Sequence, residues 1–285
     1  MKIILSRKGF DSGMGKIPSP IFDNGDFFSL PIPSDGEGSI PFSHIQYGNH
    51  NVGNIVEMLS KNKISSTHTC HYDPDLIKEG LLKRDDGWKP LFGQSGSAQG
   101  HLQNNNISKG DIFIFYGWFQ NVRLRNGILS YDKTKGGVHV IFGWLQIGKI
   151  ISVNDKENVP IWAKTHPHFN RETKNKNDVV YISSDELELC GKKTGIKGAG
   201  HLKKFDDRLV LSKSGEKRSI WELPLFFYPD DLKKPLTYNE NIERWKKEND
   251  KCILNSANRG QEFVIDCDDY PEIYEWLLNL VKLDS

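Results

Sequence analysis

A chain of 285 residues can bury a sizeable core, and 37% hydrophobic with 26% charged residues is globular composition rather than that of a disordered tail. Lys+Arg total 38 against 37 for Asp+Glu, a net charge of +1, which excludes a polycation that coats DNA through phosphate contacts alone. The opening MKIILSRKGF has too short an apolar run for a secretory leader, no segment reaches the ~20 apolar residues of a membrane helix, and Cys70, Cys190, Cys252 and Cys267 form no CxxC pair, so the expectation is a cytoplasmic protein without a disulfide framework or a thiolate zinc site.

In chain order, Ile3–Leu5 reads as a short buried strand running into Ser6-Arg7-Lys8-Gly9, and Phe27–Leu30 as a strand within a Gly/Pro/Ser-rich stretch. Val52, Ile55, Val56 and Leu59 fall at helical spacing and predict a helix over 51–61. HTCHYDPDL is turn-rich, and the proline after Asp73 disfavours helix there. A short helix is predicted from Ser95 to Asn106, with Ser95 or Ser97 at its N-cap. Ile112–Phe119 is a nearly continuous apolar run, the pattern of a strand covered on both faces. His139–Val153 reads as a longer strand or bent pair, with Gly143 and Gly148 as candidate bulges. Further strands are expected at Asp178–Ser184, Arg208–Leu211 and Glu262–Asp266. Thr237-Tyr-Asn-Glu240 has capping-box form and predicts a helix through Lys247. A last helix starts at Pro271, with Ile273, Trp276, Leu277, Leu280 and Val281 on one face. No βαβ rhythm is present, so the expected fold is α+β: a mixed, largely antiparallel sheet or a partly closed PUA-like barrel, with peripheral helices. One domain over 1–285, with 154–178 as a polar surface loop, is the simplest organisation.

Chemistry-bearing residues gather in a few places. Ser6 to Gly13 sets glycines beside Arg7 and Lys8, which suits an anion held by guanidinium and backbone N–H groups; the Walker spacing is absent, and a solvated loop with an Arg7–Asp11 pair is the plain alternative. In His68-Thr-Cys-His71-Tyr-Asp73-Pro-Asp75, His71 and Asp73 are candidates for acid–base work. The same alternation could converge on a divalent metal with His101 as a further ligand, or be strand-end packing with Asp73 capping a turn; no metal-ligand set is assigned. Between Gly87 and Phe119, Trp88, Phe92, Phe115 and Trp118 supply aromatic faces, while Gln94, Gln99 and His101 supply hydrogen-bonding edges. Stacking for a ring and amides for its edge are what a base-reading pocket needs; a helix N-terminus packed on a strand is the alternative. His166-Pro-His168, near Arg171, could orient a polar substrate or sit in a loop packed by Trp162 and Phe169. Arg259 leads into a strand on which Gln261 and Glu262 face opposite sides, so only one can share a pocket; an Arg259–Glu262 ion pair is the plain reading.

These stretches carry a family likeness. SRKGFDSGMGKIPSPIF, HYDPDL, GWKPLFGQSGSAQGHL, GDIFIFYGWF, HVIFGWLQIGKII, WAKTHPHF, RSIWELP and RGQEFVID, in that order between residues 6 and 266, resemble the nucleotide-modification-associated domain proteins, third family, of bacteria and their phages. The resemblance implies an α+β domain in DNA-base modification or phage–host conflict, with a nucleotide or DNA base as ligand, other modification or defence proteins as partners, and no membrane. Matching motifs carry over Arg7, Asp11, His71, Asp73, Gln94, Gln99, His101 and Arg259, while their roles are read from the residues. Two functions fit. One is an enzyme modifying a nucleotide or a base in DNA, with Arg7, Lys8 and Arg259 on phosphate, Gln94, Gln99, Trp88 and Trp118 on the base, and His71, Asp73, His101 or Asp11 as acid or base. The other is a non-catalytic reader of a modified base or free nucleotide. GxGxxG, Walker and GxSxG fingerprints are all missing, so the cofactor is unassigned.

Overall fold

The structure, a computed structural model, describes residues 1–81, 84–170, 175–230 and 233–284. The strands used below are β1 (Lys2–Arg7), β2 (Ser19–Ile21), β3 (Thr69–His71), β4 (Leu91–Gln94), β5 (Ile112–Arg125), β6 (Ile128–Tyr131), β7 (Val138–Ser152), β8 (Val179–Ser183), β9 (Ala199–His201), β10 (Ile220–Pro224), β11 (Trp245–Glu248), β12 (Lys251–Asn255) and β13 (Glu262–Asp266). The α-helices among the described residues are α1 (Val52–Leu59), α2 (Gly96–Asn104) and α3 (Ile273–Val281), all peripheral, and none is long and apolar enough to cross a membrane. The fold is α+β and its sheets are mostly antiparallel.

The principal sheet runs β13-β1-β5-β7-β8-β4, with β2 and β6 also paired to β5 and β9 to β7. β1 and β2 lie parallel to β5, and the remaining pairings are antiparallel. β7 is one strand of 15 residues whose register shifts between Ile141 and Gly143 against β5, and between Ile147 and Lys149 against β8. These are the two places where the sequence put glycine. An extra residue on one strand bends it and raises its twist. The bent sheet curls until its end strands approach: Gln94 of β4 donates from Nε2 to Glu262 Oε1 of β13 at 2.5 Å. Phe92 of β4 likewise reaches across the interior to Phe113 and Phe115 of β5, at ring-centroid distances of 5.0 and 5.2 Å. The curl is spanned by side chains and by α2, and no strand ladder completes it, so the PUA-like alternative resolves to an open sheet rather than a closed barrel.

Elsewhere, α1 starts where Asn51 accepts the Asn54 N–H at 3.2 Å, and buries Val52, Ile55, Val56 and Leu59 beside Phe42 and Val122 in a second core. The small sheet β10-β12-β11 leans on the principal one through Trp221, whose ring meets Tyr116 edge-on at 5.1 Å.

Three expected elements differ. The helix over 237–247 is replaced by turns, a 3-10 turn at Ile242–Arg244 and strand β11. Asn and Glu side chains there bond elsewhere than in a helix: Glu240 accepts from Tyr238 N–H at 2.9 Å and Asn241 from Glu243 N–H at 3.0 Å, while buried Asn239 accepts from Ala257 N–H, outside the segment, at 2.8 Å. Phe27–Leu30 forms only an isolated bridge from Phe27 to Ile21, because Leu30 N–H is drawn to the Ser19 hydroxyl. Arg208–Leu211 begins as a 3-10 turn at Asp207–Leu209, capped by Asp206, before a single bridge at Val210. The 154–178 segment holds two 3-10 turns, and Arg171 lies outside the described residues.

Two core imidazoles make the fold sensitive to acid. Burial pushes His139 down to about 3, helped by the charges of Arg218 and Arg7; burial also pushes His201 down to about 3, with a smaller contribution from Lys203. Each binds a proton more readily in the unfolded chain, so their stabilising neutrality is intact above pH ~6.5 and is lost as pH falls towards 3. Thermal midpoints measured from pH 7 to pH 4 are expected to drop, and His201→Leu to drop less steeply; equal slopes would remove His201 as a contributor.

Candidate functional site

The segment after β3 lies along the outer edge of β4. Asp75 and Leu91 exchange backbone hydrogen bonds of 3.0 Å in both directions, and Arg84 forks onto the Asp75 carboxylate at 2.6 and 2.7 Å. This sets Asp73 against Gly93, whose N–H lies 3.1 and 3.2 Å from the two carboxylate oxygens. Three imidazoles converge on that carboxylate. His71 Nε2 and His168 Nε2 each lie 3.4 Å from Oδ2, and His166 Nε2 lies 3.4 Å from Oδ1. On its far side His168 Nδ1 meets Asp178 Oδ1 at 2.6 Å.

Burial alone would raise the Asp73 pKa, but the three imidazoles of His166, His168 and His71 around it outweigh that and hold the carboxyl well below its usual range. Burial pushes His166 down against the pull of Asp73, whereas burial raises Asp75 despite Arg84. The cluster is thus a charged carboxylate inside a ring of imidazoles, with His71 its most exposed member at 18%. Gly93 makes room for it: a Cβ there would stand 2.2 Å from His168 Cδ2.

A second concavity lies beside β1, on the face opposite Lys8. It encloses about 190 Å³ and is lined by Arg7, Asp11, Tyr116, Trp118, Arg218 and Asn258, among others. The Arg218 guanidinium stacks 4.2 Å from the Trp118 ring centroid and donates to Ser12 Oγ at 3.1 Å. Arg7 donates weakly to the Gly260 carbonyl at 3.4 Å. Among the described residues neither arginine forms an ion pair with a carboxylate, and burial followed by the Arg7 charge lowers the Arg218 pKa. Asp11, rather than pairing with Arg7, spends one oxygen on the N–H groups of Gly13 and Met14 at 2.8 and 2.7 Å. His139 in the wall accepts the Trp221 indole N–H at 3.0 Å. Two arginines, neither in an ion pair among the described residues, share this cavity with the single carboxylate of Asp11, and a lining of net positive charge beside an indole face suits an anion attached to a flat ring.

The other expected site residues occupy different surroundings. Lys8 points into the curl, 2.7 Å from Glu262 and 4.6 Å above the Phe92 ring, so it is paired while its neighbour Arg7 is not. Gln94 is bound to the same carboxylate, and Gln99 accepts from the Tyr181 hydroxyl at 2.8 Å. His101 sits 3.0 Å from Thr237 Oγ1, away from the His71–Asp73 cluster. Trp88 packs in a third core cluster under Arg84. Arg259 is exposed and does not line the cavity, and Glu262 pairs with Lys8 in its place. Gln261 is exposed and Glu262 buried, as their alternation requires. The sequence offers His166 and His168 as a pair but does not join them to Asp73, and it marks neither Asp178 nor Arg218 as a site residue. The His-Pro-His spacing was the available signal; nothing in the sequence marks Arg218 as facing Arg7.

A family model described as nucleotide modification associated domain 3 matches residues 2–266, and the chain belongs to that family. No curated protein and no solved structure matches it.

The fit of Gly93 to His168 is testable. Gly93→Ala is expected to lower stability by about 1–3 kcal/mol, the range of overpacking, read as a reduced urea midpoint. Gly100→Ala is the control, since a Cβ there meets nothing nearer than Asn177 at 3.8 Å. Equal midpoints for the two variants would refute the packing argument.

Proposed function

From membership of the nucleotide modification associated domain 3 family, we propose that this protein binds a nucleotide, free or within DNA, with its phosphate on Arg7 and Arg218 and its ring against Trp118. In this reading the bound nucleotide or its base is the object of modification, in a DNA-modification or phage-defence setting. The observation that carries the proposal is the pair of arginines without carboxylate partners lining one cavity beside an indole. Arginine binds phosphate through paired N–H donors, and an aromatic face takes a base of any sequence.

Gln94 and Gln99 enter as supports of the sheet interior rather than as base-reading groups, since their amides serve Glu262 and Tyr181. The His71–Asp73 cluster is the candidate for chemistry, imidazole being the side chain suited to proton transfer near neutral pH. Its segment borders the same loop: Gly9 and Asp73 line one narrow cleft, while Phe10, Asp11 and Ser12 line the arginine cavity. The internal hydrogen bonding of Gln94 and Gln99 gives no support to a non-catalytic reader built on those amides, because a base-reading pocket would need them free.

Titration of tryptophan fluorescence with mononucleotides, nucleosides and inorganic phosphate tests the binding mode. Arg7→Ala and Arg218→Ala are each expected to weaken mononucleotide binding about tenfold to a hundredfold, the worth of a charged hydrogen bond. Arg208→Ala, at an exposed Arg208–Asp206 pair, should change nothing. Unchanged affinity in both cavity variants would sink the proposal. With binding established, a mass change in nucleotide or DNA that vanishes in His71→Ala marks an enzyme, and binding with no mass change marks a reader.

A further inference from the structure

We infer that His71 Nε2, His168 Nε2 and Asp73 Oδ2 form a binding site for one divalent first-row transition ion, open to solvent on the His71 side. The three ligand atoms lie within 4.8 Å of one another, and both nitrogens stand 3.4 Å from the oxygen. Metal–ligand bonds of about 2.0–2.2 Å in tetrahedral geometry separate neighbouring donors by roughly 3.3 Å, so little movement is needed to close on an ion.

The contact on the other side of His168 gives the stronger argument. A carboxylate can only accept, so the 2.6 Å contact with Asp178 puts a hydrogen on Nδ1, and in the neutral ring the lone pair then lies at Nε2. That lone pair faces the Asp73 carboxylate at 3.4 Å. In that neutral form two acceptors are opposed, and a cation relieves the repulsion, whether a proton on Nε2 or a metal ion between the two groups. A carboxylate behind a ligating imidazole is also what orients such a ligand and raises its basicity.

Asp73 is steadied for the same task. Gly93 N–H donates to it at 3.1 Å, and His166 Nε2, buried and without a hydrogen-bond partner among the described residues, faces Oδ1 at 3.4 Å. The other oxygen is thereby turned to His71 and His168. His166, whose Nδ1 accepts the His168 N–H at 3.3 Å, and Asp178 act as positioning residues.

Two imidazoles and one carboxylate are too rich in nitrogen for magnesium or calcium and contain no thiolate for copper(I) or an iron–sulfur centre. The neighbouring thiol, Cys70, is turned to the Ile40 carbonyl at 3.3 Å. The ion expected is of the zinc, iron(II) or cobalt(II) type. His71 and Asp73 are 18% and 4% exposed, so an incoming water or ligand atom would arrive from the His71 side.

The full chain, dialysed against chelator, can be titrated with Co²⁺ while visible absorption is recorded, and then with competing Zn²⁺. The expected result is one equivalent of bound cobalt with ligand-field bands, displaced by zinc, and a rise in thermal midpoint with either metal. Asp73→Asn and His168→Ala should abolish the bands. Asp178→Asn should weaken binding by about tenfold to a hundredfold, the usual effect of losing such a partner. His50→Ala, at a histidine paired with Asp26 elsewhere, should leave the titration unchanged. Should the buried variants fail to fold, His71→Ala at the open side supplies the same test. Absence of bands and of any midpoint shift in the native chain, or equal binding in His71→Ala, would overturn the site. None of these readouts uses nucleotide, so the result stands apart from the nucleotide-binding proposal.

Discussion

Glu262 is a carboxylate 1% exposed at the start of an end strand, and its partners come from both ends of the curled sheet. Lys8 continues from β1 beside it, and Gln94 reaches it from β4 at the far end of the strand order. Burying such a charge costs several kcal/mol, and only close hydrogen-bonded partners recover it. The recovery is possible in one arrangement, in which the sheet is bent enough to bring β4 to β13. Bulges at two points of β7 supply the bend, and the Phe92, Phe113, Phe115 and Tyr181 rings fill the space it encloses. The contact therefore selects the curvature, and the curvature places β4, to which Asp73 and His168 are fitted.

The same contact sorts the cations of the N-terminal loop. Successive side chains of an extended segment face opposite sides. With Lys8 held inward by Glu262, Arg7 is turned to the other face, where Arg218 and Trp118 stand. One short segment thus supplies a neutralised charge to the interior and an unneutralised one to a cavity. Nothing in the dipeptide Arg7-Lys8 distinguishes the two roles, which arise from what each face meets.

What was legible in the sequence follows from the range of the forces involved. Strands β1, β5, β7 and β13 and the three helices were readable because apolar spacing and breaker residues act within a few positions. The bulges were readable from Gly143 and Gly148 for the same reason. The helix expected over 237–247 is absent because Asn239 bonds to Ala257, 18 residues away, and a local capping rule cannot register that. In the candidate site, His71 and Asp73 stood out as neighbours. His166, His168 and Asp178 come from a distant loop and strand edge, and their convergence depends on β8 pairing with β4. Gln94 and Gln99 have the right residue types for reading a base, yet types do not reveal that Glu262 takes the Gln94 amide N–H and Tyr181 the Gln99 carbonyl oxygen.

Strand β4 ends the sheet, and an end strand with bare N–H and C=O groups is a template for another chain. Here the Asp73–Asp75 segment covers it: Asp75 takes both backbone groups of Leu91, and the Asp73 carboxylate takes the N–H of Gly93. The residue that gathers the imidazoles is therefore also a stopper on the open side of the sheet. A chain that loses this carboxylate loses more than the anchor of the imidazoles, because it uncovers an adhesive edge. A substitution at Asp73 would then act through self-association as well as through the imidazole cluster.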